Sequence, residues 1–339
     1  MPRSEITIDL VALRRNVRTL AAVLARAELW AVVKADGYGH GAIDVARAAL
    51  DAGARMLCVA TVAEALELRR ALPEPRILVM TRTPDDELRA ARAGRLELVI
   101  PDGRVPEGVG VHLKLDTGMG RWGIAELPAG SRHVVGLMSH LATADTDAAF
   151  ARRQVERFAR ATEGYRGVTR HIANSAAALR LPEARFDAAR CGIALYGLSP
   201  FGAHPRDDGL EPVLSWRSEL AQVKQLGAGE STGYGRRYVA RRPTWIGIVP
   251  VGYADGFRRD LSGTEVLVAG ERRRVVGTVS MDSLAVELDG AHAPGTPVSL
   301  VGDGILLEEH AHTAGTITYE LASRINASGS RAERVVVDA

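Results

Sequence analysis

A lysine followed by three glycines within seven residues is the most chemically loaded stretch of the chain: Ala31-Val-Val-Lys34-Ala-Asp-Gly37-Tyr38-Gly39-His40-Gly41. The residues before Lys34 are apolar and read as a short buried strand, so the lysine stands where a strand ends. Nonpolar surroundings favour the neutral amine, which attacks carbonyls readily. The glycines let backbone N–H groups approach an anion, and the start of the helix read over residues 44–52 favours negative charge there. An amine nucleophile beside a phosphate cradle suits pyridoxal 5'-phosphate, which is held by a Schiff base and by its phosphate. A lone lysine in such a place is more often a side chain reaching solvent ahead of an ordinary loop.

Other polar residues recur at the ends of apolar runs. Lys114 with Asp116, His140 and Asn174-Ser175 close such runs, and Arg190, followed by Gly192, opens one. Taken singly, Lys114 could be a buried ion-pair partner of Asp116, and His140 a satisfied core histidine. Taken together they gather where a (β/α)8 barrel keeps its active site, at the C-terminal ends of its strands. Their coincidence points to a site and names no reaction.

The elements that must position them follow from the pattern. Apolar runs without alternation suggest strands buried on both faces. They fall at Trp30–Ala35, Met56–Ala60, Ile77–Met80, Leu96–Ile100, Val109–Asp116, Val134–His140, Thr169–Ser175 and Arg190–Tyr196. Helical patterns fill most gaps: Ala63–Leu72, Asp85–Ala93, Asp147–Ala161, and before the first run a face of Leu13, Val17, Leu20 and Leu24 with Asp9 as N-cap. Pro101–Gly108 and Gly123–Arg132 are too short for a full helix. After Pro212 the texture becomes strand-like runs between glycine and proline turns: Val213–Leu226, Thr244–Val251, Glu265–Val268, Arg274–Val279, Leu284–Leu288 and Val298–Val301. A helical pattern returns only at Tyr319–Ile325. The expected fold class is α/β: a (β/α)8 TIM-like barrel over residues 10–212, then a mostly antiparallel β domain over 213–339.

Composition narrows the class. The 339 residues are 46% hydrophobic with a net charge of +2, ample for a core and without the basic excess of a nucleic-acid binder. No apolar run approaches ~18 residues, so no membrane span is expected. Met-Pro-Arg-Ser-Glu lacks a secretory apolar region, and Cys58 and Cys191 sit in apolar runs as buried thiols, which together lead us to expect a cytoplasmic protein. Arg272-Arg-Arg274 reads as the solvated face of a strand or hairpin. His310 and His312 resemble a metal pair only superficially, and no metal site is expected.

Several segments resemble the motifs of bacterial alanine racemases. Besides the Lys34 stretch they are Lys114-Leu-Asp-Thr-Gly-Met-Gly-Arg121, Ser139-His-Leu-Ala-Thr-Ala-Asp145, His171-Ile-Ala-Asn-Ser175 and Arg190-Cys-Gly-Ile-Ala-Leu-Tyr-Gly197. The β domain adds Thr232-Gly-Tyr234-Gly, Val249-Pro-Val-Gly-Tyr253-Ala-Asp-Gly256, Ser280-Met281-Asp282 and Gly315-Thr-Ile-Thr-Tyr319-Glu. Their order runs the length of both domains. The resemblance implies a pyridoxal-phosphate enzyme that interconverts L- and D-alanine and supplies D-alanine for peptidoglycan. It also implies a homodimer with shared active sites, and a first strand (Ile6–Asp9, within residues 1–9) that joins the β domain.

Residue by residue, the resemblance implies that Lys34 carries the cofactor and acts as acid/base on the D face. Tyr234 of the partner subunit acts on the L face. Arg190 faces the pyridine nitrogen, and His140 links it to the Tyr234 hydroxyl. Tyr38, Ser175, Tyr319 and the backbone of Gly192 and Ile193 hold the phosphate, supported by Asn174. Arg121 reaches the substrate carboxylate, positioned by a carbamate on Lys114, and Met281 of the partner lines the substrate pocket. Tyr253, Asp145 and His171 line the way in. Asp282, taken singly, reads as a structural carboxylate or one that supports residues lining the site.

The chemistry accounts for these residue types. Racemisation removes a proton from one face of a planar α-carbon and delivers one to the other, so two bases must oppose each other. Tyrosine is ordinarily a poor base, and a cationic Arg–His relay stabilises its phenolate. An arginine at the pyridine nitrogen, where an aspartate would hold a proton, favours a racemase over an aminotransferase. One departure stands out: Gly277-Thr278-Val-Ser-Met-Asp282 has threonine where many members have an arginine, which leaves open a broader-specificity racemase acting on serine or other small amino acids. A barrel-type decarboxylase would need a cysteine from the β domain, which has none. A non-catalytic cofactor carrier would lack that domain.

Overall fold

The computed structural model describes residues 3–128 and 133–339. They divide into two compact units: residues 12–201 with 205–211, and residues 3–11, 202–204 and 212–339. The chain opens with β1 (Glu5–Asp9), which belongs to the second unit, followed directly by the helix Leu10–Leu24.

In the first unit β2 (Glu28–Val32), β3 (Met56–Val59), β4 (Arg76–Val79), β5 (Glu97–Ile100), β6 (Gly110–Lys114), β7 (Val134–Met138), β8 (Thr169–His171) and β9 (Ala188–Cys191) form a closed parallel barrel in chain order. The barrel closes where β9 pairs with β2, Arg190 opposite Trp30. All four residues of β3 and of β9 are buried, which is why their sequences carry no alternation. Helices cover the outside. Leu13, Val17, Leu20 and Leu24 form one buried face, as the 3.6-residue spacing predicts. Thr61 and Glu64 form a capping box at the helix Val62–Ala71, and Asp147 caps Ala148–Thr162 by accepting the Phe150 N–H at 3.0 Å. No helix lies in 101–108 or 123–128; residues 129–132 of the second short connection lie outside the described residues.

The last barrel strand differs from its expected span. It runs Ala188–Cys191, so Arg190 lies near its C-terminal end rather than opening it, and Ile193–Tyr196 is a 3-10 turn closed by left-handed Gly197. The chain also leaves β2, β7 and β8 early. Lys34, His140 and Asn174-Ser175 therefore sit on the first turns beyond the strands. Apolar residue types alone do not separate a buried strand from the buried turn that follows it.

In the second unit the strands are β10 (Leu214–Glu219), β11 (Gln222–Leu226), β12 (Ser231–Thr232), β13 (Tyr238–Val239), β14 (Thr244–Val249), β15 (Glu265–Val268), β16 (Glu271–Val276), β17 (Leu284–Leu288), β18 (Pro297–Val301) and β19 (Glu333–Val337). Nine of the unit's strands form one sheet in the order β11-β14-β17-β16-β15-β18-β10-β1-β19. All described pairings in it are antiparallel except β1 with β19. The first strand thus joins this sheet. The run Val213–Leu226 is two strands, and the helix Leu307–Thr313 and β19 were not legible. β19 lies at the sheet edge with its ends exposed, so no buried face marks it in the sequence. The arginine run lies on β16, with Arg272 ion-paired to Glu265 and Glu309 and Arg273 to Asp289.

Candidate active site

The Lys34 turn is left-handed. Ala35 (φ 51, ψ 53), Asp36 (φ 49, ψ 48), Gly37 (φ 60, ψ 42), Tyr38 (φ 55) and Gly39 (φ 82) follow one another in that conformation. L residues other than glycine resist it by about 1–2 kcal/mol each, so the surroundings must hold it. The Ala35 N–H donates to Glu64 Oε1 at 2.8 Å, and the Ala42 N–H to Asp36 Oδ1 at 2.7 Å. The Gly37 N–H donates to the Val33 carbonyl and the Gly41 N–H to that of Asp36, both at 2.9 Å. Strain held this firmly is characteristic of functional turns. Here it turns the chain sharply after Lys34 and buries Tyr38.

Tyr38 points at Gly192, where an added Cβ would lie 2.6 Å from the phenol oxygen. Only glycine leaves that space open. The Gly192 and Ala194 N–H groups donate to Ser175 Oγ at 3.0 and 3.4 Å, and Asn174 Oδ1 caps the following helix at the Ala177 N–H. Tyr38, Asn174, Ser175, Gly192 and Ile193 thus meet in one cradle of small hydroxyl and backbone groups.

Positive charge accumulates beside it. Burial and then the Arg121 charge lower the pKa of Lys34, against the raising effect of Glu64. Burial, Arg190 and Arg121 bring Lys114 down to about 8. Asp116 does not bond this lysine: its carboxylate accepts the N–H groups of Gly118, Met119 and Gly120 and shapes the loop carrying Arg121. Arg190 is 3% exposed, and each of its described hydrogen bonds goes to an uncharged acceptor. Burial lowers its pKa to about 10. Four cations around a cradle call for anionic ligands. A phosphorylated cofactor with an aldehyde for Lys34, and a carboxylate substrate, fit this donor set.

Arg190 Nη2 lies 3.1 Å from His140 Nδ1. Because a guanidinium only donates, that nitrogen accepts and His140 carries its proton on Nε2. Burial, then Arg190, holds His140 well below its ordinary pKa. His171 corrects an expectation. It lines no way in: it is fully buried at the end of β8, with Nδ1 2.6 Å from Arg190 Nη1 and Nε2 2.8 Å from His112 Nδ1. His112 Nε2 in turn meets Glu97 Oε2 at 2.8 Å. Sequence reasoning missed His112 and Glu97, although both stand in strands where charged or titratable side chains are rare.

Of the remaining expected residues, Asp145 is exposed in the barrel unit, and the others lie in the β unit. Tyr234, Met281 and Tyr253 are 71%, 51% and 42% exposed, and Tyr319 is half-buried. Thr278 donates its hydroxyl to the Tyr234 carbonyl at 3.0 Å, where the backbones at Gly233 and Gly277 cross closely. The Tyr253 and Ala254 N–H groups bond the carbonyls of Ser280 and Met281, both at 3.0 Å. Asp282 pairs with Arg331 and Arg3, a structural role. His310 uses both ring nitrogens, on Thr264 and the Leu300 carbonyl.

Comparison with known proteins places these motifs. Residues 8–200 match the family model "Alanine racemase, N-terminal domain", and residues 213–336 match "Alanine racemase, C-terminal domain". Alanine racemase of Streptomyces coelicolor is 42% identical, over 99% of this chain and 96% of its own. The crystal structure of alanine racemase from D-cycloserine-producing Streptomyces lavendulae superposes with a TM-score of 0.91 at 36% identity, over 100% and 98% of the two chains. That of Bartonella henselae alanine racemase, with covalently bound pyridoxal phosphate, superposes at 0.89 and 30% identity, over 98% and 99%.

Proposed function

The chain belongs to the alanine racemase family and racemises alanine; from that premise we propose that it does so with pyridoxal 5'-phosphate and two opposed bases, Lys34 and Tyr234 of the partner subunit. The observation that carries this reading is the meeting of a depressed lysine, a cradle kept open by Gly192, and a buried arginine bonded only to neutral acceptors. When bound, the cofactor draws electrons from the substrate and acidifies its α-proton.

The residues divide the remaining work. Lys34 bonds the cofactor and moves the proton on the D face. Arg190, whose two Nη groups are engaged by His171, His140 and backbone carbonyls, offers its Nε–H toward the pyridine nitrogen and leaves that nitrogen unprotonated. His140, with its proton on Nε2, donates toward the phenol oxygen of the partner subunit's Tyr234 and stabilises that oxygen as it loses its proton. Tyr38, Ser175, Asn174, Gly192, Ile193 and Tyr319 hold the phosphate. Arg121 takes the substrate carboxylate, and Met281 of the partner subunit lines the pocket. A pKa near 8 gives Lys114 enough neutral amine to bond carbon dioxide with loss of a proton, and the carbamate anion would position Arg121.

The exposure of Tyr234, Met281 and Tyr253 supports a homodimer in which each β unit completes the other barrel's site. Cytoplasmic residence and a supply of D-alanine to peptidoglycan belong to the same reading. Two free buried thiols agree with it, and among the described residues no helix is long and apolar enough to cross a membrane. Thr278, neutral and turned to the Tyr234 backbone, also supports a broader reading that includes serine and other small amino acids.

The test is borohydride reduction of the purified protein, peptide mapping, and racemisation assays over the chiral amino acids. The adduct should lie on Lys34 and alanine should be the best substrate. Label elsewhere would sink the assignment.

A further inference from the structure

The barrel holds a polar chain that the reaction as described does not use. It runs from the N-terminal rim, where Arg76 opens β4 and Glu97 opens β5, through His112 on β6 and His171 on β8, to Arg190 on β9. The contacts are Arg76 Nε to Glu97 Oε1 at 2.8 Å, Glu97 Oε2 to His112 Nε2 at 2.8 Å, His112 Nδ1 to His171 Nε2 at 2.8 Å, and His171 Nδ1 to Arg190 Nη1 at 2.6 Å. Both imidazoles are fully buried and are lined by Trp30, whose ring centroid lies 4.5 Å from His171 and 5.7 Å from His112. The wall facing His112 is Gly136, where an added Cβ would fall 2.0 Å from Nδ1. The space for this ring is built into the sheet.

The protons in this chain have one consistent arrangement. Arginine has no acceptor, so His171 Nδ1 carries no proton and the ring's single hydrogen is on Nε2. It is donated to His112 Nδ1, which places the second ring's hydrogen on Nε2, aimed at the Glu97 carboxylate. Hydrogen bonds from His112 and Arg76 outweigh the burial of Glu97 and keep it ionised. Burial keeps both histidines neutral. Every donor then meets an acceptor, and polarity runs one way from Arg190 to the rim.

We propose that Glu97 is a positioning residue for Arg190, acting through His112 and His171. Its carboxylate fixes the tautomer of His112 and hence of His171. The acceptor so presented holds Nη1, leaving Nη2 for His140. That this matters for racemisation rests on the reading that Arg190 faces the cofactor; the proton arrangement does not.

The experiment is NMR of histidine ring nitrogens in 15N-labelled protein, with and without pyridoxal phosphate, on the unaltered chain and on Glu97→Gln. The unaltered protein should show His112 and His171 as Nε2–H tautomers in both forms. Glu97→Gln should mix the tautomers at His112 and lower kcat about 10-fold with KM unchanged, the scale on which outer partners of an oriented histidine act. His112→Phe should cost as much, and the double variant no more than either single one. An Nδ1–H tautomer at either ring of the unaltered protein overturns the assignment. A fall in kcat with unmoved tautomers, or additive losses, shows that the effect does not travel along the chain. Tautomers as assigned, with unaltered kcat in a folded, cofactor-loaded Glu97→Gln protein, overturn the positioning role; an Arg190 that does not face the cofactor would instead appear as guanidinium 15N shifts in the unaltered protein that do not move when pyridoxal phosphate is added.

Discussion

Under the proposed two-base reading, Tyr234 and Lys34 make different predictions. Tyr234→Ala should keep cofactor and still exchange the α-proton of D-alanine with solvent deuterium, while exchange from L-alanine and racemisation fall about 10²–10⁴-fold. Racemisation must slow equally in both directions, since the equilibrium between enantiomers is one; exchange has no such constraint, so it reports which face each base serves. Equal exchange of both enantiomers in the variant would make Tyr234 a packing residue. Lys114 tests the carbamate separately. Stripping carbon dioxide at low pH and returning bicarbonate should raise activity, and an intact mass without the added carbon dioxide at full activity would show that the modification is not needed.

Single elements set how well those groups are aimed. The Lys34 turn combines backbone resistance with four anchoring hydrogen bonds, and one of its anchors, Glu64, also caps the helix Val62–Ala71. Thr278→Val removes the hydroxyl at the Tyr234 carbonyl while keeping shape. A hydrogen bond worth about 1 kcal/mol then predicts a roughly fivefold loss of L-alanine exchange, with D-alanine exchange unchanged. Thr278→Ser should restore it. Equal loss for both enantiomers would mean that Thr278 acts on the pocket rather than on Tyr234.

At the scale of the whole molecule, assembly and pH matter most. If each β unit completes the partner's barrel, mixing Lys34→Ala with Tyr234→Phe protein should recover activity, because a mixed dimer would own one intact site; no recovery after demonstrated subunit exchange would rule out shared sites. Stability has a defined pH window. Burial lowers the folded-state pKa of His112, His140, His171 and His310 below the unfolded value near 6.5. Between those values the unfolded chain holds protons that the folded chain does not, so stability present above pH 6.5 is lost as pH falls through that window. Each group contributes a slope of up to about 1.4 kcal/mol per pH unit. Denaturant unfolding at pH 7.5, 6.5 and 5.5 should show the decline, and a flat profile would mean that these histidines are charged in the folded state.

The sequence by itself determined the barrel's strand count and the change of texture near residue 212, because a strand covered on both faces is mostly apolar and lacks alternation. It also marked Lys34, Lys114, His140, Ser175 and Arg190, since polar residues beside buried runs are conspicuous. That residues of the β domain serve a barrel's site is an expectation that rests on family resemblance alone. Tertiary structure alone decided where strands give way to turns, the left-handed path after Lys34, and the edge strand Glu333–Val337, whose partner β1 is more than three hundred residues away in the chain. It also decided the fate of His171, which family resemblance had placed on the way in. What determines a histidine's role is the set of groups aimed at its two nitrogens. Those on His171 come from β6 and β9, elements that only the closed barrel brings together.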